Sequence, residues 1–93
     1  MNYSPHQFRT VINSLINEVL TREFSAYKSS FLKDVTWETE HKYVTDGDGY
    51  LVTFKSNGVT DWSASFTYLN GSDRDLEAYV REAVVRIIGL SNI

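Results

Sequence analysis

The sequence contains no cysteine and no long apolar run, and each of these absences excludes a class of protein. Without cysteine there is no disulfide, no thiolate nucleophile and no cysteine-ligated metal, so packing alone must stabilise the fold. No apolar run approaches the ~20 residues of a membrane span, so we expect no membrane association. The segment from Met1 to Pro5 lacks the basic and apolar regions of a signal peptide, so we expect a cytoplasmic protein.

The charge balance is mildly acidic, and the apolar content is that of a folded domain. The formal net charge is −3 and the isoelectric point is near 5.2, the wrong sign for a nucleic-acid binder. Hydrophobic residues make up 42% of the chain and aromatic residues 14%, which is enough for a packed core. Ninety-three residues have the length of one domain, so we expect residues 1–93 to form a single domain.

The first apolar stripe predicts a helix over residues 4–27. Ser4 suits the N-cap, Pro5 suits the first helical position, and Gln7 completes a capping box. We expect this helix to cover a sheet, because a half-buried sheet needs an apolar partner layer. The residues of the stripe recur at helical spacing and are Phe8, Val11, Ile12, Leu15, Ile16, Val19, Leu20 and Phe24.

The middle of the chain alternates apolar and polar residues with a period of two, which predicts three half-buried antiparallel strands. We place these strands over residues 34–45, 48–56 and 60–69. The side chains expected to face the core are Val35, Trp37, Thr39, His41, Tyr43, Val52, Phe54, Trp62, Ala64, Phe66 and Tyr68.

A second amphipathic helix is predicted over residues 73–89. Ser72 suits its N-cap, acidic residues favour its first turn, and Gly89 is a fitting stop. Its apolar stripe consists of Leu76, Tyr79, Val80, Ala83, Val84, Ile87 and Ile88. These elements predict an α+β protein with a two-layer α-β-β-β-α order. Its three-stranded antiparallel meander would have both helices packed on one face.

The pair Asp46-Gly47 predicts a two-residue hairpin turn between the first two strands. In the resulting register Tyr43 faces Tyr50, and Glu38 faces Lys55 on the outer face of the sheet. Residues directly opposite each other share a face, so this pairing sets core residues of one strand against core residues of the next.

The second turn contains Asn57-Gly58, and here a two-residue turn would flip the third strand to the wrong face. Two alternatives keep the correct face: a three-residue loop over positions 56–58, or a five-residue loop over positions 56–60. We favour the longer loop, because it pairs Phe54 with Trp62 and Lys55 with Asp61.

No pattern in the sequence indicates catalysis, so we expect no enzyme activity, no catalytic residue, no cofactor and no metal site. His6 falls in the first helical turn, where a solvated or capping role is usual, and His41 has the parity of a residue at the core edge. The segment from Asp46 to Gly49 looks a little like a calcium loop. It lacks the further ligands that such a loop needs and continues as a strand, so we interpret it as a turn.

The α-β-β-β-α order resembles that of double-stranded-RNA-binding domains. That resemblance implies a lysine cluster at the start of the last helix, where it would contact phosphates. Here the same place holds Asp73, Asp75 and Glu77, whose charges would repel a phosphate backbone. Nucleic-acid binding is therefore the least favoured of the functions that we consider.

The architecture is also similar to that of small phage-made inhibitors of bacterial defence nucleases, the anti-CRISPR proteins. Some of these are acidic, cysteine-free chains of a helix, a three-stranded meander and a closing helix. The resemblance implies a non-enzymatic accessory or inhibitory protein, of phage or mobile-element type, that binds a host protein. The alternative is a small structural or assembly protein that forms homo-oligomers.

Topology is expected to gather acidic residues at one end of the molecule. The first hairpin tip, the end of the third strand and the start of the last helix would lie together there. One interpretation is ordinary turn and helix-cap chemistry, and the other is an acidic end that docks on a protein partner with a basic surface. The residues concerned are Asp46, Asp48, Asp73, Asp75 and Glu77.

The third strand is expected to be an unguarded edge. The chain carries no charge from Trp62 to Ser72, whereas charged residues line the first strand. Such an edge is usually covered or paired. We expect Ser63, Ser65 and Thr67 to lie beside a partner-binding or homodimer edge, although the chain's own helix could also cover it.

Overall fold

Three helices and a three-stranded antiparallel sheet make up the described part of the chain, which is residues 2–57 and 62–91 of a computed structural model. The α+β class and the α-β-β-β-α arrangement are confirmed, with the first helical region divided in two. In chain order the elements are α1 (Pro5–Glu23), α2 (Ser25–Asp34), β1 (Val35–Val44), β2 (Gly47–Ser56), β3 (Ser63–Leu69) and α3 (Leu76–Ser91).

The predicted start of the first helix is confirmed. The backbone N–H of Gln7 donates to the Ser4 hydroxyl at 3.2 Å, and the Ser4 backbone N–H donates to the Gln7 side chain at 3.0 Å. This reciprocal capping box satisfies two backbone donors that a helix start leaves without intrahelical partners, and Pro5 begins the helix as expected.

The helix predicted over residues 4–27 is instead two helices that meet at Phe24. At this residue the backbone leaves the helical region, with φ −136° and ψ 38°. α2 then continues to Asp34 and buries Phe31. Phe24, Tyr27 and Phe31 have helical spacing, so the sequence did contain a signal for α2, although a sparse one.

The sheet has the order β1-β2-β3, so β2 is central. The helices pack on one face of the sheet, as predicted. Side chains from the helices and from one face of the sheet form a single core. The fully buried members of this core are Phe8, Ile12, Ile16, Val19, Leu20, Phe31, Tyr50, Val52, Phe54, Val80, Val84 and Ile87.

The helices α1 and α3 lie side by side over the sheet and are joined by charged pairs at their solvent-facing edge. Arg22, in the last turn of α1, donates to Glu77, and Arg81 donates to both carboxylate oxygens of Glu23 at 3.1 and 2.8 Å. Aromatic side chains anchor each helix to the sheet. Phe8 of α1 stacks on Tyr50 with ring centroids 4.1 Å apart.

The first hairpin is shifted by two residues from the predicted register, so the predicted Tyr43–Tyr50 pair is wrong. Tyr50 faces His41 instead. The turn lies one position earlier in the chain than predicted, because Val44 pairs with Gly47. Gly47 follows the turn with φ 154°, a backbone conformation that side-chain-bearing residues rarely adopt.

A shift of two residues keeps every side chain on its own face, so alternation along the strand cannot distinguish the two registers. Packing against neighbours does distinguish them. Trp37 faces Phe54 in the observed register, and their ring centroids are 6.2 Å apart. The Glu38–Lys55 ion pair still forms across a diagonal at 3.4 Å, although the two residues are not directly opposite.

The second hairpin shows the same kind of shift, so the pairs predicted between its strands are wrong. Phe54 faces Ala64 and Lys55 faces Ser63, and the predicted partners at positions 62 and 61 are wrong. Trp62 precedes β3, and its carbonyl oxygen accepts a hydrogen bond from the Ser56 backbone at 3.2 Å. Positions 58–61, on which both loop predictions depend, lie outside the described residues.

The last helix begins and ends later than the predicted bounds of 73–89. Asp75 takes the capping role predicted for Ser72, because its Oδ1 accepts a hydrogen bond from the Glu77 backbone N–H at 3.0 Å. Gly89 lies within α3 instead of ending it. The apolar stripe predicted for this helix does face the core.

Candidate functional site

A hydrogen-bonded network lies at the end of the first hairpin. His41 Nε2 is 2.6 Å from Asp48 Oδ2, and Asn70 Nδ2 donates to the same oxygen at 2.9 Å. These bonds, the one to His41 first, hold the pKa of Asp48 below its usual value. The His41 ring stacks on Tyr50 with centroids 5.0 Å apart. His41 therefore lies at the core edge, as its parity predicted.

The same network fixes the segment that precedes α1. The Tyr50 hydroxyl donates to the Tyr3 carbonyl oxygen at 2.6 Å, and Asn70 Nδ2 donates to that oxygen at 3.2 Å. The Tyr3 backbone N–H donates in return to Asn70 Oδ1 at 2.9 Å. The network thus joins the start of α1, the hairpin and the end of β3, and its polar groups are used for structure.

The five acidic residues predicted to form one acidic end have different environments. Asp48 belongs to the network and Asp75 caps α3. Glu77 turns toward α1, where a hydrogen bond from an arginine in the last turn lowers the pKa of Glu77. Asp46 and Asp73 are exposed and take part in none of these contacts. Three of the five acidic residues, Asp48, Asp75 and Glu77, thus have structural partners.

Exposed apolar side chains gather at the same hairpin end. Tyr43 is 81% exposed, and Val44 and Leu69 are each 47% exposed. We call these three residues the hairpin-end patch. Tyr43 lies on the face of the sheet that carries the helices, and Val44 and Leu69 lie on the outer face, because successive strand residues point to opposite faces. Tyr43 was expected in the core, but β1 carries it toward the hairpin tip, where it lies beside the His41 ring at 4.7 Å between centroids and remains open to solvent. The period-two pattern contained no signal for this exposure.

The side chains of β3 alternate as predicted. Ser63, Ser65 and Thr67 are exposed on the outer face of the sheet, while Tyr68 is buried under the helices. Phe66 is half-buried and stacks on a tyrosine of α3. Within the described residues, β3 pairs with β2 on one side only.

The backbone groups on the open side of β3 belong to alternate residues. The Ser56 N–H donates to the Trp62 carbonyl, and the Asn70 N–H donates to the Asp48 carbonyl. In an antiparallel ladder such hydrogen-bonded pairs recur at every second residue, so the even-numbered residues of β3 bond to β2. The N–H and C=O groups of Ser65 therefore point away from β2, as do those of residues 63, 67 and 69.

A groove runs along this open side, between β3 and α3. It holds a cavity of about 130 Å³. Two of the side chains that line it, Ala64 on β3 and Ala83 on α3, are small and leave room between the strand and the helix. We call it the β3 groove, and its lining consists of Ala64, Ser65, Phe66, Tyr79, Glu82, Ala83 and Arg86.

The β3 groove has an apolar floor and two opposite charges on its rim. Phe66 stacks on Tyr79 with centroids 5.6 Å apart and planes 8° apart, forming one end of the floor. Glu82 and Arg86 stand one helical turn apart on α3. Within the described residues, neither forms an ion pair with another side chain. The sequence pointed to the edge strand, but it gave no indication of the groove beside it.

The described residues show no metal-binding cluster and no membrane-spanning helix. In the described part of the chain, no group of three or more histidine or acidic side chains is placed to hold a metal ion. No described helix is long and apolar enough to cross a bilayer. No known protein family, curated protein or solved structure is significantly similar to this chain.

Proposed function

We propose that this protein is a non-enzymatic protein–protein interaction protein that binds by strand addition at the open edge of β3. In strand addition, backbone hydrogen bonds give affinity, and pockets for alternate side chains give specificity. β3 offers both, because outward-facing backbone groups at Ser65 and Thr67 run directly beside the β3 groove. This coincidence of an open edge with an apolar groove is the observation that carries the proposal.

The two edges of the sheet differ in a way that supports the proposal. The outer face of β1 carries Glu38, Glu40 and Lys42, and charges of this kind discourage pairing with another chain. Lys42 and Glu40 pair with each other at 3.0 Å. Ser63–Leu69 contains no charged residue and no proline. Only one of the two edges is therefore suited to pairing.

The partner that we propose is a host protein, with this chain acting as an accessory or inhibitory protein of phage or mobile-element type. The hairpin-end patch would extend the contact, because exposed tyrosine is enriched at protein interfaces. Asp46 beside this patch would favour a basic rim on the partner, as the predicted acidic end implied. The alternative occupant of the β3 edge is a second copy of the chain.

The experiment that tests strand addition compares Thr67→Pro with its control Thr67→Val. Proline removes a backbone N–H that points away from β2, so the β2–β3 ladder stays intact. The valine control keeps that N–H and the branched side chain. Wild type and both variants are compared in two measurements: the proteins that each captures from a bacterial lysate, and self-association by light scattering. Circular dichroism verifies that each variant is folded.

We expect Thr67→Pro to lose the captured partner or the self-association, while Thr67→Val retains it. A folded Thr67→Pro protein that keeps every partner and the same oligomeric state would show that the β3 edge is not the interface.

A further inference from the structure

We infer that the β3 groove accepts a single extended segment of another protein, and that a second copy of this chain does not fit there. This inference rests on the proposed strand addition and names its occupant. It follows from where α3 stands relative to the edge strand, and from the side chains that line the groove.

The widths of the helical layer and of the sheet place α3 over the edge strand. Neighbouring strands lie about 4.8 Å apart, so the outer strands of a three-stranded sheet are about 10 Å apart. Packed helices also need about 8–10 Å between their axes. Because α1 and α3 lie side by side on this sheet, α3 stands above β3 instead of between β2 and β3.

The contacts along α3 agree with this placement. Tyr79 lies beside Phe66 and Tyr68, with ring centroids 5.6 and 6.2 Å away, whereas Ala83 and Arg86 line the groove with Ala64. The middle two turns of α3 therefore run antiparallel to β3 and lie above it. It overhangs the edge along the stretch where another strand would pair.

A second copy would bring its own α3 into the same space. If two β3 strands paired edge to edge at about 4.8 Å, their overlying helices would be separated by a similar distance. That is about half of what helix packing requires. A segment that carries no helix on this face meets no such obstacle, because only its side chains enter the groove.

Strand geometry defines which residues of the segment enter the groove. Directly opposite residues share a face, so segment residues opposite Ala64 and Phe66 point toward α3. Ala64 and Ala83 both line the groove, whose floor is apolar. The residue opposite Ala64 should therefore be a medium-sized apolar one such as valine.

The two charges on the rim of the groove predict the segment residues on either side of the one opposite Ala64. Glu82 lies about 4.5 Å along the helix from Tyr79, and Arg86 about 10.5 Å. Tyr79 stands beside Phe66, and two strand residues span about 6.7 Å, so Glu82 lies between the levels of Phe66 and Ala64 while Arg86 lies beyond Ala64. Because helical side chains lean toward the helix N-terminus, Glu82 is within reach of a long basic side chain opposite Phe66. An antiparallel segment should thus carry a basic residue, an apolar residue and an acidic residue at alternate positions, in that order.

The probe is a fluorescent, end-blocked peptide of sequence Thr-Lys-Thr-Val-Thr-Glu-Thr, whose threonines favour an extended chain and face outward. Its control replaces the central valine with aspartate. Binding is measured by fluorescence polarisation, and the site is mapped by backbone amide NMR shifts on the full chain. The protein variants are Thr67→Pro, Thr67→Val and Glu82→Lys.

We expect the valine peptide to shift the amides of Ser65 and Thr67 and to bind about tenfold or more tightly than the aspartate control, which corresponds to about 1.4 kcal/mol. Thr67→Pro should abolish this binding and Thr67→Val should keep it. Glu82→Lys should weaken it, and a peptide with glutamate in place of lysine should restore it. Light scattering should find the free protein monomeric.

Two results would overturn the inference. A dimer that Thr67→Pro dissociates would show that a second copy occupies the edge, and strand addition itself would stand. Equal affinity for the valine and aspartate peptides would show that the groove does not select an apolar side chain. Failure of strand addition itself would give a different result from these two. In that case Thr67→Pro would alter neither peptide binding, nor partner capture, nor self-association.

Discussion

Gly49 lies against the backbone of Tyr68 more closely than any side-chain-bearing residue could. A Cβ atom at Gly49 would stand 2.5 Å from the Tyr68 carbonyl oxygen and 3.0 Å from the Leu69 Cα. The two strands therefore approach each other at the end of the hairpin, directly beside the His41–Asp48 pair. Glycine at this position is required by the sheet itself and not by the turn.

We predict that Gly49→Ala destabilises the protein by about 1–3 kcal/mol, the range typical of overpacking, because the obstructing atoms belong to the backbone and cannot rotate away. The matched control is Gly89→Ala. Nothing lies within 4 Å of a Cβ at Gly89, and the residue is within a helix, so alanine should stabilise by up to about 1 kcal/mol. Urea unfolding measures both values.

A Gly49→Ala protein as stable as the wild type would mean that β2 and β3 separate at this point, which would contradict the observed strand register. The Gly89 control excludes a general effect of adding a methyl group.

We predict that Asp48 contributes stability that is lost in acid. The hydrogen bonds to His41 and Asn70 lower the pKa of Asp48 in the folded protein. A lowered folded pKa gives stability that is fully present above the unfolded value of about 3.9, and that declines as the pH falls through the folded value. Asp48→Asn should therefore be less stable than wild type above about pH 4, and the difference should shrink as the pH falls below that.

Thermal melts at a series of pH values test this prediction, with Asp46→Asn as control because Asp46 lies outside the network. A difference between wild type and Asp48→Asn that stays constant down to pH 2 would show that the carboxylate has no favourable partner in the folded state.

We predict that the hairpin-end patch contributes to binding and little to folding. Tyr43→Ser removes an 81% exposed ring, so the free energy of unfolding should change by less than about 0.5 kcal/mol. Dissociation from a captured partner should become faster.

The exposed acids Asp46 and Asp73 should affect the rate of association. Asp46→Lys and Asp73→Lys should slow association with the partner and reduce its salt dependence. Asp48 is unsuitable for this test, because its substitution disturbs the network. Stopped-flow or surface-based kinetics can separate the two rates.

If Tyr43→Ser and the two lysine variants all bind the partner at wild-type rates, the hairpin end is not part of the interface. The exposed acids would then have only turn and surface roles.

Side-chain parity was the property most fully predictable from the sequence. The alternation around Phe66 correctly predicted which face of β3 is buried, and the Ser4–Gln7 capping box correctly predicted the start of α1. Both are local signals that depend on residues close together in the chain. Strand order and the placement of both helices on one face then followed from the short connections.

Register and exposure were not predictable in the same way. Shifting a hairpin by two residues changes no parity, so the pattern around Tyr43 and Tyr50 fits both registers equally well. The choice depends on long-range contacts such as Asn70 with Asp48, which lie 22 positions apart. The β3 groove likewise depends on Ala64 and Ala83 meeting in space, which no local pattern encodes.

Amide hydrogen exchange on β3, measured by NMR in the free protein and with the valine peptide bound, tests the central claim most directly. In the free protein the amides of Ala64 and Phe66 should exchange slowly, because they bond to β2, while those of Ser65 and Thr67 should exchange quickly. Adding the peptide should slow Ser65 and Thr67 and leave the other two unchanged. Protection of Ser65 and Thr67 already in the free monomer, or none with the peptide bound, would contradict strand addition at this edge.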